Sequence, residues 1–573
     1  MQATEQITRI VERMSPGRAV VASLLAHGVD TVFGLDGSHV IQVFDALADA
    51  PSIAPLTFKH ENNAAIAAET YGRLTGRPGV VVVTAGPGAT NSLSGIGGAY
   101  AAGAPVVHIS GGVPVGAPHE AFHGVDGPDF LQDAFKGVTK WSVRVEDASE
   151  IPAVLAKAFK IAVSGRPGPT HVEIAESALT VKEVEVEQAT LVSGPTSVYD
   201  VADELPSLND VIATIDGATR IAIVAGKNAM YPAVSEAIVK LAERLGAPVA
   251  HTWDGHGSMP TVHPLSLGVW WGAARSHPTA LEIVGAADLV LGVGVRAGTE
   301  MGVGLQSGEA PVVLLDATDD ASPTTGPAIG SIGALAAAVE RLAASCKARE
   351  TDRATLDTCK KARELQQRGL DIELERYQDT RPWHIGAAID ALARRMTPDI
   401  FVVSDVSNVK LWTPLQVPVW GPESHFQSGS WGAMGYCLPS VLAAARLRPN
   451  KKIVGLAGDT SFLMASSDFL TICEQRLPVV IAIHHDQRIG MIDNMHTKAF
   501  GRAYASEIGR VDFVTYAEAF GATGIRVEDP AELEAAWDKA LASDGPFILE
   551  LRAGHDFPWP WPVSRLVKQA AEV

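Results

Sequence analysis

Cysteine is scarce in this chain of 573 residues. The four present, Cys346, Cys359, Cys437 and Cys473, are scattered with neither metal-ligand nor disulfide-framework spacing, which fits a reducing cytoplasm. Basic residues are also few. The 46 Lys and Arg stand against 65 Asp and Glu, for a net charge of −19, and no run of Lys and Arg offsets it, which argues against a nucleic-acid surface. No apolar run reaches membrane-spanning length. The opening stretch, MQATEQITRIVERM, lacks the apolar core of a signal peptide. Short-period repeats and low-complexity tracts are missing too. A soluble, cytoplasmic protein is expected.

What the chain does have is a globular balance, 47% hydrophobic and 19% charged, and length for three or four domains. From 16 to 179, short apolar runs (TVFGL, GVVVVTAG, APVVHISG, THVEIA) alternate with helix-like stretches (AVVASLLAHG, AAIAAETYGRL, IPAVLAKAFKIAVS). That alternation predicts an α/β fold with a parallel sheet and helices on both faces. A polar, acidic connector, VKEVEVEQATLVSGPTSVYDVADELPS, leads to a second block with strands RIAIVAG, DLVLGVG and APVVLLD. A charged segment, 346–382, separates it from a third block with strands DIFVVSD, KKIVGLAG, PVVIAIHHD and PFILEL. The expectation is three doubly wound parallel-sheet domains, at 1–180, 205–345 and 380–565.

Doubly wound sheets bind ligands beyond the carboxyl ends of their strands. Two strand ends in the third block carry acids: Asp459 after VGLAG and Asp486 after IAIHH, 27 residues apart. That separation is one βαβ step, so both acids can lie at the same edge of the sheet. A lone aspartate at a helix start could simply cap the helix. Two together, with a backbone carbonyl and phosphate oxygens, make a good Mg²⁺ site. The backbone amides around Thr460 and Ser461 could then hold phosphates at the helix N-terminus.

These motifs resemble those of thiamine-diphosphate enzymes, which carry Gly-Asp-Gly and, some 25–30 residues on, a paired Asn. Here they stand as Gly458-Asp459-Thr460 and His485-Asp486. The stretch from FKHENNAAIAAETYGRL to APVVHISG is similar to the pyrimidine-binding domain of acetolactate synthases, as are SGRPGPTHVEI, WGAMGYCLPS and HDQRIGMI. The resemblance implies domains for the pyrimidine, a middle domain and a domain for the diphosphate and Mg²⁺. It places Asp459, Asp486 and Arg488 at the metal, and Gly432, Met434 and Met491 with Gly458, Thr460 and Ser461 at the cofactor. Met434 would hold the cofactor in its bent conformation; a methionine between glycines is otherwise most often core packing. Glu61, in KHENNAA, would protonate the far ring nitrogen, though a glutamate in a first helical turn also suits the helix dipole.

The implied chemistry is decarboxylation of a 2-oxo acid such as pyruvate to an enamine, followed by carboligation or protonation, with the cofactor as nucleophile and electron sink. The implied site lies between chains, Glu61 of one subunit serving the cofactor of another, so a homodimer or homotetramer is expected. Departures fall where substrate would be handled: Thr460 replaces Gly, Asp486 replaces Asn, Phe122-His123-Gly124 replaces Phe-Gln-Glu, and Met495 stands for a Trp. The first turn is GLDGSH, with Asp36 and His39. His39, His60 and His123 are candidate proton carriers or structural histidines. FAD is a second, less favoured cofactor, suggested by Arg296 in GVGVRAG, whose glycines do not match the dinucleotide fingerprint. The alternatives are a lyase or hydrolase acting on a 2-hydroxy-ketone, an acyl-CoA or a dione; a non-catalytic ligand-binding homologue; and a flavin or nicotinamide oxidoreductase.

Overall fold

The computed structural model describes residues 11–118, 121–125, 127–191, 194–201, 204–270, 276–295, 310–318, 326–555, 560 and 563–572. The chain divides into two compact units, Met1–Val201 and Ala202–Val573.

In the first unit a six-stranded parallel sheet runs in the order Ala54–Thr57, Thr31–Leu35, Gly79–Val83, Val106–Gly112, Pro169–Ala175, Trp141–Val145. The runs of Val and Ile are buried along their whole length, as strands covered on both faces require. Helices Pro16–Ala26, Glu61–Thr75 and Ile151–Val163 supply the cover. Ser15 caps the first, accepting from Arg18 N at 3.4 Å, with Pro16 at the first helical position.

The acidic connector is not wholly a linker. Its VEVE, Val184–Glu187, pairs antiparallel with Val11–Met14. Val184 and Val186 are buried, while Glu185 faces solvent and bonds Arg13 at 2.6 Å. The alternation was the signal: period two puts every second side chain on one face.

The second unit holds two parallel sheets. One has five strands, in the order Ser266–Trp270, Val249–Thr252, Ile221–Ala225, Leu289–Val293, Val312–Leu315. The other has six: His425–Gln427, Ile400–Ser404, Lys452–Gly458, Val479–His484, Phe547–Leu551, Thr523–Val527. The charged segment expected to act as a separator forms the helix Arg353–Arg376, with Cys359, Ala362, Leu370 and Glu373 buried. Gly369 lets its backbone meet the helix Val563–Glu572, since a Cβ there would collide with the Leu566 carbonyl. Among the described residues no helix is long and apolar enough to cross a membrane.

Candidate functional site

Strands Lys452–Gly458 and Val479–His484 are parallel neighbours, and Gly458 pairs with His484 at their ends. The chain therefore leaves both strands at one edge, and Asp459 and Asp486 line one cleft. Asp459 is the first residue of helix Asp459–Ala465, after Gly458 at the cap position. Its two oxygens divide. Oδ1 accepts from Thr460 N at 2.6 Å, and Oδ2 accepts from Gln487 N at 2.8 Å, across to the loop after the neighbouring strand. Asp486 Oδ1 accepts from Arg488 N at 3.2 Å, and Oδ2 lies 3.7 Å from His555 Nδ1.

Burial raises the pKa of both carboxyls, and the neighbouring Asp486 charge adds to the rise at Asp459. Two carboxylates held side by side call for a cation, and an all-oxygen donor set suits a hard one such as Mg²⁺. Among the described residues no three His, Cys, Asp or Glu side chains group to hold a metal, so an ion here would complete its shell with main-chain carbonyl and ligand oxygens. The same cleft holds two buried polar atoms with no protein partner, Ser407 Oγ and Asn408 Oδ1. An incoming polar group would satisfy them.

The backbone around the pair is tightly constrained. Gln487 sits in the left-handed region at φ 59°, held by its amide on Asp459 and by Ile508 N, which donates to its carbonyl at 3.0 Å. Gly490 is required by contact, since a Cβ there would collide with Asp486 Oδ2 and stand 2.8 Å from Asn408 Nδ2. Met434 lines the cleft from a loop whose glycines, Gly432 at φ 68° and Gly435 at φ 80°, take conformations that L side chains rarely adopt. Asp405 ties that loop down, accepting from Cys437 N at 2.8 Å and from Val406 N at 2.7 Å, with its pKa pushed up to about 6 by burial.

The cleft brings together Gly458, Asp459, Thr460 and Ser461 with Met434, Asp486, Arg488 and Met491, as the sequence predicts. Gly432 belongs to the loop and not to the lining. Two expectations need correction. The Arg488 side chain is committed to Asp493 at 2.8 Å and Glu507 at 3.0 Å, and a guanidinium cannot ligate a cation, so only its main chain could serve a metal. The Thr460 amide already bonds Asp459, so it does not wait free for phosphate, and the Ser461 hydroxyl donates to the Val406 carbonyl at 2.6 Å. Of the two readings open for His60, the structure shows the structural one, a helix cap: its Nδ1 accepts from Asn62 N at 3.1 Å ahead of helix Glu61–Thr75.

In the first unit Glu61 is buried, and its Oε2 accepts from Asn91 Nδ2 at 2.9 Å. His39 is buried too, its Nε2 3.7 Å from Glu176, and its ring stacks on His123 at 4.9 Å. Burial lowers its pKa against the opposing pull of Glu176. His123 stands at φ 65°, stacked on Phe122 at 3.9 Å. Gly86, itself at φ 57°, gives it room, because a Cβ there would collide with the His123 carbonyl. Thr84 borders both His39, whose amide it accepts at 3.3 Å, and the space beside Glu61.

Three family models match the chain: the N-terminal TPP binding domain of thiamine pyrophosphate enzymes at 14–135, their central domain at 208–342 and their C-terminal TPP binding domain at 405–551. The chain is 30% identical over 565 residues to the acetolactate synthase isozyme 2 large subunit of Escherichia coli, covering 94% of this chain and 95% of that protein. It is 28% identical to the acetolactate synthase of Bacillus subtilis, covering 96% and 95%, and 28% identical to the probable acetolactate synthase large subunit of Methanocaldococcus jannaschii, covering 94% and 92%. The chain belongs to the thiamine pyrophosphate enzyme family. Within it, this is an acetolactate synthase-like member.

Nothing in the sequence singled out Ser407 and Asn408, which line this thiamine pyrophosphate enzyme's cleft, or Gln487 and His555, which contact its two aspartates. The loop after DIFVVSD was marked as a strand end, but nothing in it signalled which side chains would turn inward. Arg296, on which the FAD expectation rested, lies outside the described residues.

Proposed function

We propose that the protein is a thiamine-diphosphate- and Mg²⁺-dependent carboligase or decarboxylase of 2-oxo acids, built from domains at 1–180, 205–345 and 380–565. The observation that carries this reading is the pair Asp459 and Asp486 at the ends of adjacent parallel strands, inside the segment matched to the C-terminal TPP binding domain. Thiamine diphosphate, when bound, supplies the nucleophile and the electron sink. The two aspartates, with the Arg488 carbonyl, would hold Mg²⁺. Ser407 and Asn408 would satisfy the ligand's polar atoms, and Met434 would press against it from the Gly432–Gly435 loop. Glu61, held by Asn91, would keep a proton at the pyrimidine nitrogen. His39 and His123, stacked together, would handle a proton of the substrate.

A homodimer is the working unit in this reading, each site drawing Glu61 from the partner. Its support is the apolar side chains left exposed at the cleft: Met495 at 52% and Ile492 at 42%, with Met464 at 60% on the helix that Asp459 opens. Titration calorimetry with thiamine diphosphate and Mg²⁺ tests the reading. Asp459→Ala should abolish metal-dependent binding while the fold survives; unchanged affinity returns Asp459 to a helix-end role. Product analysis with a panel of 2-oxo acids and aldehydes then names the reaction.

A further inference from the structure

The edge strand Ser266–Trp270 walls a cavity of about 170 Å³. Strand Val249–Thr252 gives it His251, the helix Arg353–Arg376 gives it Arg363 and Gln367, and the helix Asn408–Gln416 ends in it at Gln416. Gln367 is exposed, so the cavity reaches the surface. It shares no lining residue with the cleft of Asp459 and Asp486. Three side-chain atoms of the residues that line it are buried without a protein partner: His251 Nε2, Ser266 Oγ and Gln416 Oε1. Folded proteins pair nearly all such atoms. What each can accept or donate is set by the bonds its residue already makes. His251 Nδ1 lies 3.1 Å from the Thr252 carbonyl and donates to it. Burial lowers the pKa of that ring to about 4, so it is neutral and Nε2 is an acceptor. Gln416 Nε2 donates to the Gly386 carbonyl at 3.2 Å, and Oε1 is an acceptor. Ser266 Oγ can act either way. An occupant that pairs these atoms brings O–H or N–H donors.

Charge sets the rest of its chemistry. Arg363 Nη1 donates to the carbonyls of Pro264 and Ser266 at 3.2 and 2.8 Å, and the other guanidinium N–H groups remain. No Asp or Glu lines the cavity, and among the described residues no carboxylate pairs with Arg363. Water could pair the neutral atoms, since the volume holds several molecules. It would bring the guanidinium no counter-charge. A carboxylate does, and the planar fork of Arg suits its two oxygens. Size limits the remainder of the molecule. A cavity of about 150 Å³ accepts benzene, so roughly six or seven non-hydrogen atoms fit here.

We propose that this cavity binds a short-chain hydroxy acid, with its carboxylate on Arg363 and its hydroxyls on His251, Ser266 and Gln416. The site lies apart from the cofactor cleft and does not rest on the carboligase reading.

Titration calorimetry on the full chain tests the site with three probes: glycerate, glycerol, which lacks the carboxylate, and propionate, which lacks the hydroxyls. Glycerate should bind saturably and roughly 10-fold or more tighter than either of the others, the scale of a charge-assisted hydrogen bond. Arg363→Gln removes the charge and should weaken glycerate by a similar factor. Ser266→Ala deletes a buried hydroxyl that has no protein partner, so the fold does not depend on it, and should weaken glycerate by about fivefold, the worth of one hydrogen bond. Asp459→Ala, in the other cleft, should leave glycerate binding as it is. Absence of saturable binding, equal affinity for the three probes, or unchanged affinity in Arg363→Gln and Ser266→Ala overturns the site. Loss of glycerate binding in Asp459→Ala moves the acid to the cofactor cleft and overturns it as well. Should Arg363→Gln fail to fold, Ser266→Ala decides alone.

Discussion

Asp486 puts a second carboxylate where the resembling enzymes carry an asparagine, next to Asp459. Burial raises both carboxyls, and at Asp459 the neighbouring Asp486 charge adds to the rise. Asp486→Asn removes one charge. The variant should keep activity at saturating Mg²⁺, need more Mg²⁺ to reach it, and retain thiamine diphosphate better than the parent in EDTA, because the metal is the largest local charge and its removal reverses the sign of the site. Superimposed activity curves across a Mg²⁺ series would detach Asp486 from the metal. Gly490→Ala attacks the same carboxylate by volume, since its Cβ collides with Asp486 Oδ2. Affinity for thiamine diphosphate should fall by about tenfold or more, read by calorimetry. Glu61→Gln keeps size and the Asn91 contact but cannot deliver a proton. Turnover should fall by on the order of 10²–10⁴, as for lost acid–base assistance, with the cofactor still bound and exchange of its C2 proton into D₂O slowed in parallel.

Helix Arg353–Arg376 shows how an element reads as linker and behaves as structure. Its sequence is mostly charged, yet Glu373 is fully buried, bonded to Arg565 at 2.9 Å and 3.8 Å from Arg376. The two arginines keep partial access to solvent, so the pair is asymmetric. Arg565→Ala leaves a buried carboxylate short of its nearest cation and should cost about 3 kcal/mol, the low end for a broken buried pair because Arg376 remains. Glu373→Gln leaves only cations that water can reach and should cost less. Urea midpoints of the two variants give the order, and equal losses would mean that Glu373 is not the constrained partner. The segment's helix was hidden because a narrow buried stripe of Cys359, Ala362, Gly369 and Leu370 is diluted by charged neighbours.

Among the described residues, several histidines are buried in the neutral form. Burial takes His108 and His384 down to about 3, and His251, His277 and His484 to about 4. The sign follows directly. The unfolded chain takes up these protons below about pH 6.5 and the folded chain does not. The stability these groups confer is complete above that pH and is lost as pH falls toward the folded values, at roughly 1.4 kcal/mol per pH unit for each. The protein should therefore lose stability steeply between pH 6.5 and 4. His108→Gln should flatten the slope of urea midpoint against pH by one proton's worth, even though the variant starts lower for want of the His108–Ser92 contact at 2.8 Å. An unchanged slope would mean that His108 is protonated in the folded state.

The sequence by itself determined the α/β class, the principal buried strands and the adjacency of Asp459 and Asp486. Those follow from local rules: apolar runs of strand length, helix periodicity between them, and one βαβ step that returns the chain to the same edge. The pairs of strands furthest from such rules were decided only by tertiary structure. Ala54–Thr57 and Thr523–Val527 are edge strands, exposed at several positions, and carry no continuous apolar signal. Tertiary structure also decided what surrounds each site residue. That His39 stacks on His123, that Gln487 N reaches Asp459 and that Glu373 meets Arg565 depend on contacts between segments far apart in the chain. No spacing encodes them, because a side chain's partner is set by how elements pack and not by the order in which they are written.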